Sequence, residues 1–274
     1  MKAYLWLASF SAIAVVTVNL SLMSSQLRQI SRGSQQQAFW ALTRPGSTPE
    51  ARTDYFLRLA ASGNSEWRSA ILKKLTLADA DLSGTNLESA SFVSCDFASA
   101  DLSTGAMNRT GFDLCDLSGA DLSESNLRNS SFFKATLVET DFRNADLLSA
   151  TLEQANARNA NFVAARMGDI FLAMTDLTEA DLTGADLSGG NLEAAVLKSS
   201  DLALANFYDT HLEDTDFTDS NWWRARGFSS QQLDEMILLF APTPEASESR
   251  QRDFEIWLSR RLDESPGSNT GDSE

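Results

Sequence analysis

From Leu77 to Trp222 a large apolar residue recurs at every fifth position, without a slip. Of these 30 positions, 18 are Leu, eight Phe, two Met and one Trp, and only Ala157 is small. The residue two places earlier is Ala, Ser, Thr, Gly or Cys in 28 of the 30 units, with Leu75 and Ile170 as exceptions. Asp or Asn stands between them in 19 units, as in Ala180-Asp181-Leu182-Thr183-Gly184. A period of five fits neither the 3.6 of a helix nor the 2 of a flat strand. It fits a chain that turns a corner every five residues, with the small and large residues facing inward and the others facing water. Asp and Asn before the large residue suit the corner, because their side chains bond nearby backbone groups. One coil cannot bury its own interior, so such coils must stack, paired by parallel backbone hydrogen bonds about 4.8 Å apart.

These units resemble the pentapeptide-repeat family of the A(D/N)LXX type over about 150 of the 274 residues. The resemblance implies an all-β rod, a right-handed quadrilateral parallel β-helix with four units per coil. Thirty units then make about 7.5 coils and a rod roughly 36 Å long. A 20-residue coil puts Phe92, Phe112 and Phe132 in one ladder and stacks Cys95 against Cys115. Other members dimerise through a C-terminal element, which makes a homodimer one expectation here. One branch protects gyrase by mimicking DNA.

The rod is flanked by different material. Residues 1–25 contain an uncharged stretch, Ala3 to Met23, long enough to cross a bilayer as a helix. A cleaved signal peptide is the competing reading, but its basic region is Lys2 alone and its end lacks a convincing small-x-small site. The anchor reading gives a single-pass protein of the bacterial inner membrane. Its orientation stays open, with Lys2 on one side and Arg28 and Arg32 on the other. Residues 26–46 read as a polar tether. Residues 47–76 read as a helical cap, starting at Thr48-Pro49-Glu50 with Tyr55, Phe56, Leu59 and Ala60 on its apolar face, followed by a second helix over about 65–74 that offers Trp67 and Ile71. The β-helix is placed at 77–223. Ser229-Ser230-Gln231-Gln232 looks like a capping box within a cap helix over 224–241. Residues 242–274 comprise a linker, an amphipathic helix over about 247–262 and a polar tail.

Charge and composition exclude several functions. The chain carries 38 acidic and 22 basic residues, a formal charge of −16, and residues 77–222 alone hold 25 acidic and seven basic. Direct nucleic-acid binding is thereby disfavoured, since it needs Lys and Arg on the binding face. His211, the only histidine, sits in a water-facing slot with no catalytic partner in the pattern. Two cysteines and one histidine make a metal centre improbable, and the Asp columns face water in a row rather than converging. No phosphate loop, dinucleotide fingerprint or nucleophile elbow occurs, so neither a cofactor nor an enzyme activity is expected. Bulky Ile170 in a small slot should distort its corner and leave Phe171 exposed. Phe171, Phe133, Tyr208, Trp223, Phe254 and Trp257 are the candidate contacts for an unidentified protein partner, and they do not line up as one stripe.

Overall fold

The computed structural model describes residues 46–61, 63, 67 and 70–263. The anchor, most of the tether, part of the expected second cap helix and the polar tail lie outside the described residues. From Ala70 onward the chain returns into parallel register every 20 residues. Strand β1 (Ile71–Lys73) pairs with β2 (Ser91–Val93), and β2 with β3 (Gly111–Asp113). Single bridges continue the same register up to Asn206↔Arg226. With a turn every five residues, each coil therefore has four short sides. The large residue of a unit donates its N–H to the coil above, and the Asp-slot residue donates to the coil below. Leu82 N–H reaches Asp101 O at 2.7 Å, and Asp101 N–H reaches Ala80 O at 2.9 Å.

The interior is the double ladder that the spacing predicts. Nearly every large slot from Leu77 to Trp222 is buried, with the last Leu, Leu212, only half-buried. Phe92, Phe112 and Phe132 stack with ring centroids 5.5 and 5.2 Å apart. Cys95 and Cys115 are buried and free, and the Cys115 Sγ lies 3.3 Å from the Cys95 amide nitrogen, one coil away. The neighbouring sulfur, and then burial, push the Cys115 thiol well above its ordinary range.

The corner sits elsewhere than expected. Asp and Asn occupy the straight, bridged side, and the turn is made by the two residues after the large one. The second of these has φ near +57°, as at Asp79, Ser99 and Gln154. A positive φ at that place is what a type II turn requires. The carboxylate still serves the turn: Asp101 Oδ1 accepts the N–H of Ser103 at 3.0 Å, and Asp181 Oδ1 that of Thr183 at 2.9 Å.

Ile170 does not distort its corner. Phe171 N–H still meets Ala150 O at 2.9 Å, and Asn191 N–H meets Ile170 O at 2.8 Å. The residue stacked above Ile170 is Gly190, where a Cβ would lie 3.1 Å from Ile170 Cγ2 and 2.9 Å from Leu187 O. The missing side chain makes room for the extra bulk.

Helix α1 (Pro49–Ala61) closes the N-terminal end, its first turn capped by Thr48 Oγ1 accepting the Ala51 N–H. Phe56 and Trp67 plug the first coil, and Trp67 Nε1 donates to Asn86 O at 2.7 Å. The buried face uses Leu57 rather than Tyr55, which is exposed. Over 71–73 the expected second helix is replaced by β1. Ala70-Ile71-Leu72-Lys73-Lys74 is a further repeat unit in phase, with Leu72 buried and Ile71 outward.

At the other end the chain leaves the coil through a 3₁₀ turn, Trp222–Arg224. Helix α2 (Ser230–Phe240) follows, and both halves of the expected capping box are present at Ser229 and Gln232. Helix α3 (Glu248–Asp263) then packs back on the turn. Trp222 Nε1 donates to Phe240 O, and Asp219 accepts from Thr243.

Candidate interaction surface

The 20-residue register sorts every outward residue onto one of four sides. Side one runs through Ile71, Ser91, Gly111, Ser131, Thr151, Phe171, Asn191 and His211 at its bridged positions. Side two runs through Asp96, Asp116, Asp176 and Asp216, and side three through Asp81, Asp101, Asp121, Asp141, Asp181 and Asp201. Side four runs through Asn126, Asp146, Arg166 and Asp186. Within residues 77–222, sides two and three hold 15 of the 25 acidic residues and three of the seven basic ones. Side four is nearly balanced, and Arg128 and Arg166 both reach the Asp146 carboxylate there. Acidity is thus concentrated on two adjacent sides.

Side one alone carries no Asp in the slot before the large residue, although Asp113 ends β3 on that side. Phe171 is 44% exposed there, with Met174 at the following corner. Phe133, half-buried beside Lys134, lies on the same side, as do Ile71 and Leu114. Phe133 and Phe171 therefore share a side, although their spacing gives no common column. Ile71, Leu114 and Met174 were not among the sequence candidates. Leu114 and Met174 sit at positive-φ corners, a position that the repeat pattern marks as outward. Tyr208 is exposed on side four. His211 is exposed, as its slot predicts.

Three candidates are not free for a partner. Trp223 is buried rather than outward, because the coil ends before its slot acquires a side. Its ring meets Phe254 at 5.0 Å, and its Nε1 donates to Asp253 at 2.7 Å. Phe254 stacks on Trp257, and Trp257 meets Trp222 at 5.4 Å. The apolar face of α3 is thus engaged with the end of its own rod. Arg224 fixes the same contact through both Asp253 oxygens. That guanidinium holds the Asp253 carboxyl below the usual carboxylate range.

Among the described residues no cluster of metal-ligating side chains occurs, and the Asp oxygens of the columns are largely bonded to the turn that follows each. Among the described residues nothing in this geometry assembles a nucleophile, a base or an oxyanion site.

A family model for pentapeptide repeats matches residues 70–104, 112–148, 137–170 and 175–219, in eight copies. The chain is also similar to several solved structures. HetL of the cyanobacterium Nostoc sp. Strain PCC 7120, a pentapeptide repeat protein involved in heterocyst differentiation regulation, is 23% identical over 61% of this chain and 95% of its own, with a TM-score of 0.28. QnrB1, a plasmid-mediated fluoroquinolone resistance protein, is 19% identical over 63% and 91%, with a TM-score of 0.41. A pentapeptide repeat protein of the Arabidopsis thaliana thylakoid lumen is 21% identical over 49% and 88%, with a TM-score of 0.30. No curated protein matches. With the matched repeats covering half of its length, the chain belongs to the pentapeptide-repeat family, whose fold is the right-handed β-helix.

Proposed function

We propose that the protein is a non-enzymatic scaffold that presents a rigid acidic surface to a protein partner, held at a membrane by residues 3–23. The observation that supports this reading most is the gathering of acidic residues on sides two and three, fixed there by the coil. A rigid charged surface steers an oppositely charged partner without ordering cost at the moment of binding. Among the described residues no helix is long and apolar enough to cross a membrane, so the anchor rests on the sequence of residues 3–23. Photo-crosslinkers placed at Ser103 on side three, Ser118 on side two and Asn108 on side four test the surface in cells. Crosslinks to one protein from the first two and not the third are expected; equal yields from all three overturn the reading. Alkaline extraction tests the anchor, and a soluble protein starting near residue 24 replaces it with a signal peptide.

A second reading draws on the same acidic columns. A negatively charged rod is a candidate DNA mimic that occupies the DNA-binding saddle of a type II topoisomerase such as gyrase. Inhibition of DNA supercoiling by the purified protein, lost on reversing charges at Asp101, Asp121 and Asp181, supports this reading against the first.

A further inference from the structure

The C-terminal end of the rod is finished on two sides and unfinished on the other two. On sides three and four, Leu202 N–H is received by Asn221 Oδ1, Leu204 N–H by Arg224 O, and Phe207 N–H by Arg226 O. Sides one and two end at His211–Asp214 and Asp216–Asp219 with no coil above. The carbonyls of His211, Glu213 and Asp216 accept N–H groups of Leu192, Ala194 and Leu197 from the coil below. One coil up, the equivalent N–H groups of Leu212 and Asp214 on side one, and of Phe217 and Asp219 round the corner on side two, have no acceptor among the described residues. The two donors of side one form a short open strand edge.

Helix α2 stands over this edge without closing on it. Between them lies a groove of about 630 Å³. Its floor includes Leu212, the last rung of its ladder and only half-buried, together with Met236 and the 72% exposed Leu239. Its rim is Glu213, Asp214, Asp216 and Glu235, with no basic residue in the lining. None of these four takes part in an ion pair among the described residues. Elsewhere the rod answers several of its acids, with Arg143 on Asp141 and Arg158 on Asp176, and the cap answers Asp234 with Arg261.

We propose that this edge takes one extended, basic segment of a partner protein by strand addition. The backbone carbonyls of the segment receive the open N–H groups of Leu212 and Asp214. An apolar side chain fills the gap over Leu212 and Leu239, and flanking Lys or Arg side chains meet the four carboxylates. Main-chain bonds give such a site its affinity, and alternate side-chain pockets give it specificity. An acidic or purely polar segment satisfies only the donors, and an apolar one leaves the rim unanswered. The inference rests on the interaction reading above but not on the membrane anchor.

The probe is a fluorescein-labelled, amidated peptide Arg-Val-Thr-Leu-Thr-Arg, titrated into the full-length protein beside Glu-Val-Thr-Leu-Thr-Glu. The basic peptide is expected to bind at least about tenfold more tightly, with affinity that falls as salt rises. Glu213→Lys with Asp214→Lys should weaken it about tenfold. Leu239→Asp, on an exposed position that leaves the fold intact by circular dichroism, should weaken it as well. Hydrogen exchange gives the readout that mere charge attraction does not move: the amides of Leu212 and Asp214 slow on binding. Unchanged exchange at these two, or equal binding of the acidic peptide, overturns strand addition. Binding that appears only after removal of residues 1–45 assigns the groove to the chain's own N-terminal segment. A dimer dissolved by Leu239→Asp in sedimentation assigns it to a second copy. Each of those two results overturns the partner segment, and neither bears on the crosslinking test of the acidic sides.

Discussion

At the N-terminal end of the rod, Phe56 and Trp67 are fully buried against the first coil, and the indole N–H is satisfied by Asn86 O. At the C-terminal end, four aromatic rings from Trp222, Trp223, Phe254 and Trp257 close one half, while Leu212 and Leu239 border an open groove in the other. A solenoid must cover both ends of its core, because a terminal coil has only one neighbour. The first end is covered by a plug that penetrates the coil, whereas the second is covered by helices that lie across it. A plug leaves no room for anything else. A helix laid across a coil covers the apolar ladder but offers no row of carbonyls to the last strand edge.

The sharpest way to break this comparison is to remove one side chain from each end. Trp67→Ala takes a large, fully buried ring from the plug and should cost about 3–5 kcal/mol. Leu239→Ala at the open groove should stay within about 0.5 kcal/mol, since the side chain is mostly in water already. Urea unfolding monitored by circular dichroism measures both. Equal losses would mean that the two ends are closed to the same depth.

The second test concerns the rod between the ends, where packing tolerance is set by stacked pairs. Gly190→Ala places a methyl 2.9 Å from Leu187 O and 3.1 Å from Ile170 Cγ2. The cost should be about 1–3 kcal/mol. Ile170→Ala in the same chain should return part of it, because the bulk that required the glycine is gone. A double-mutant cycle with no coupling would show that residues 170 and 190 do not share space.

How much of this was legible in the sequence depends on which slot is considered. The inward slots are legible because burial fixes them: a polar residue in the large slot is expensive, so the period survives in all 30 units. The corner is not legible in the same way. Its second residue is Asp79, Arg109, Leu114, Glu124, Ala164 or Leu204 with φ near +60°, and only a few corners use glycine. Since water surrounds the corner side chain, nothing constrains its type, and the Asp one slot away from the ladder gives a misleading signal. The unit at Ala70–Lys74 escaped notice for a related reason, having Ile71 and a lysine pair where the pattern has Asp and polar residues. For the surface, Phe171 and Tyr208 were found because the period marks them as outward. Trp223 was misplaced because the period stops having meaning once the chain enters the 3₁₀ turn.

A smaller effect separates the ends by pH. The C-terminal closure includes a carboxylate, Asp253, held by Arg224 and by Trp223 Nε1. Its folded-state pKa is depressed, chiefly by the Arg224 hydrogen bond. Its contribution is therefore present above the unfolded aspartate value of about 3.9 and is lost as pH falls through the lower folded value. Arg224 is half exposed, so screening limits the effect to about 1 kcal/mol or less. Near-ultraviolet circular dichroism of the tryptophans should show α3 loosening below about pH 4 in the native protein. In Asp253→Asn that acid step should be absent. If the step persists in the variant, another carboxylate controls the closure.

The smallest expected effect lies at a corner beside the C-terminal closure. Leu204 is 69% exposed and holds φ at +63°. A left-handed conformation costs a residue with a Cβ roughly 1–2 kcal/mol, and glycine escapes that cost. Glycine also gives the unfolded chain more freedom, which offsets part of the gain. Leu204→Gly should therefore stabilise the rod by about 0.5 kcal/mol, against the usual direction for removing an apolar side chain. The backbone bond from Leu204 N–H to Arg224 O keeps the corner in place in the variant. The corresponding change on the straight side, Phe171→Gly, has no strain to relieve and should destabilise. A thermal midpoint that falls for both variants would show that the Leu204 side chain contributes more to the surface near Ile256 and Trp257 than its corner costs.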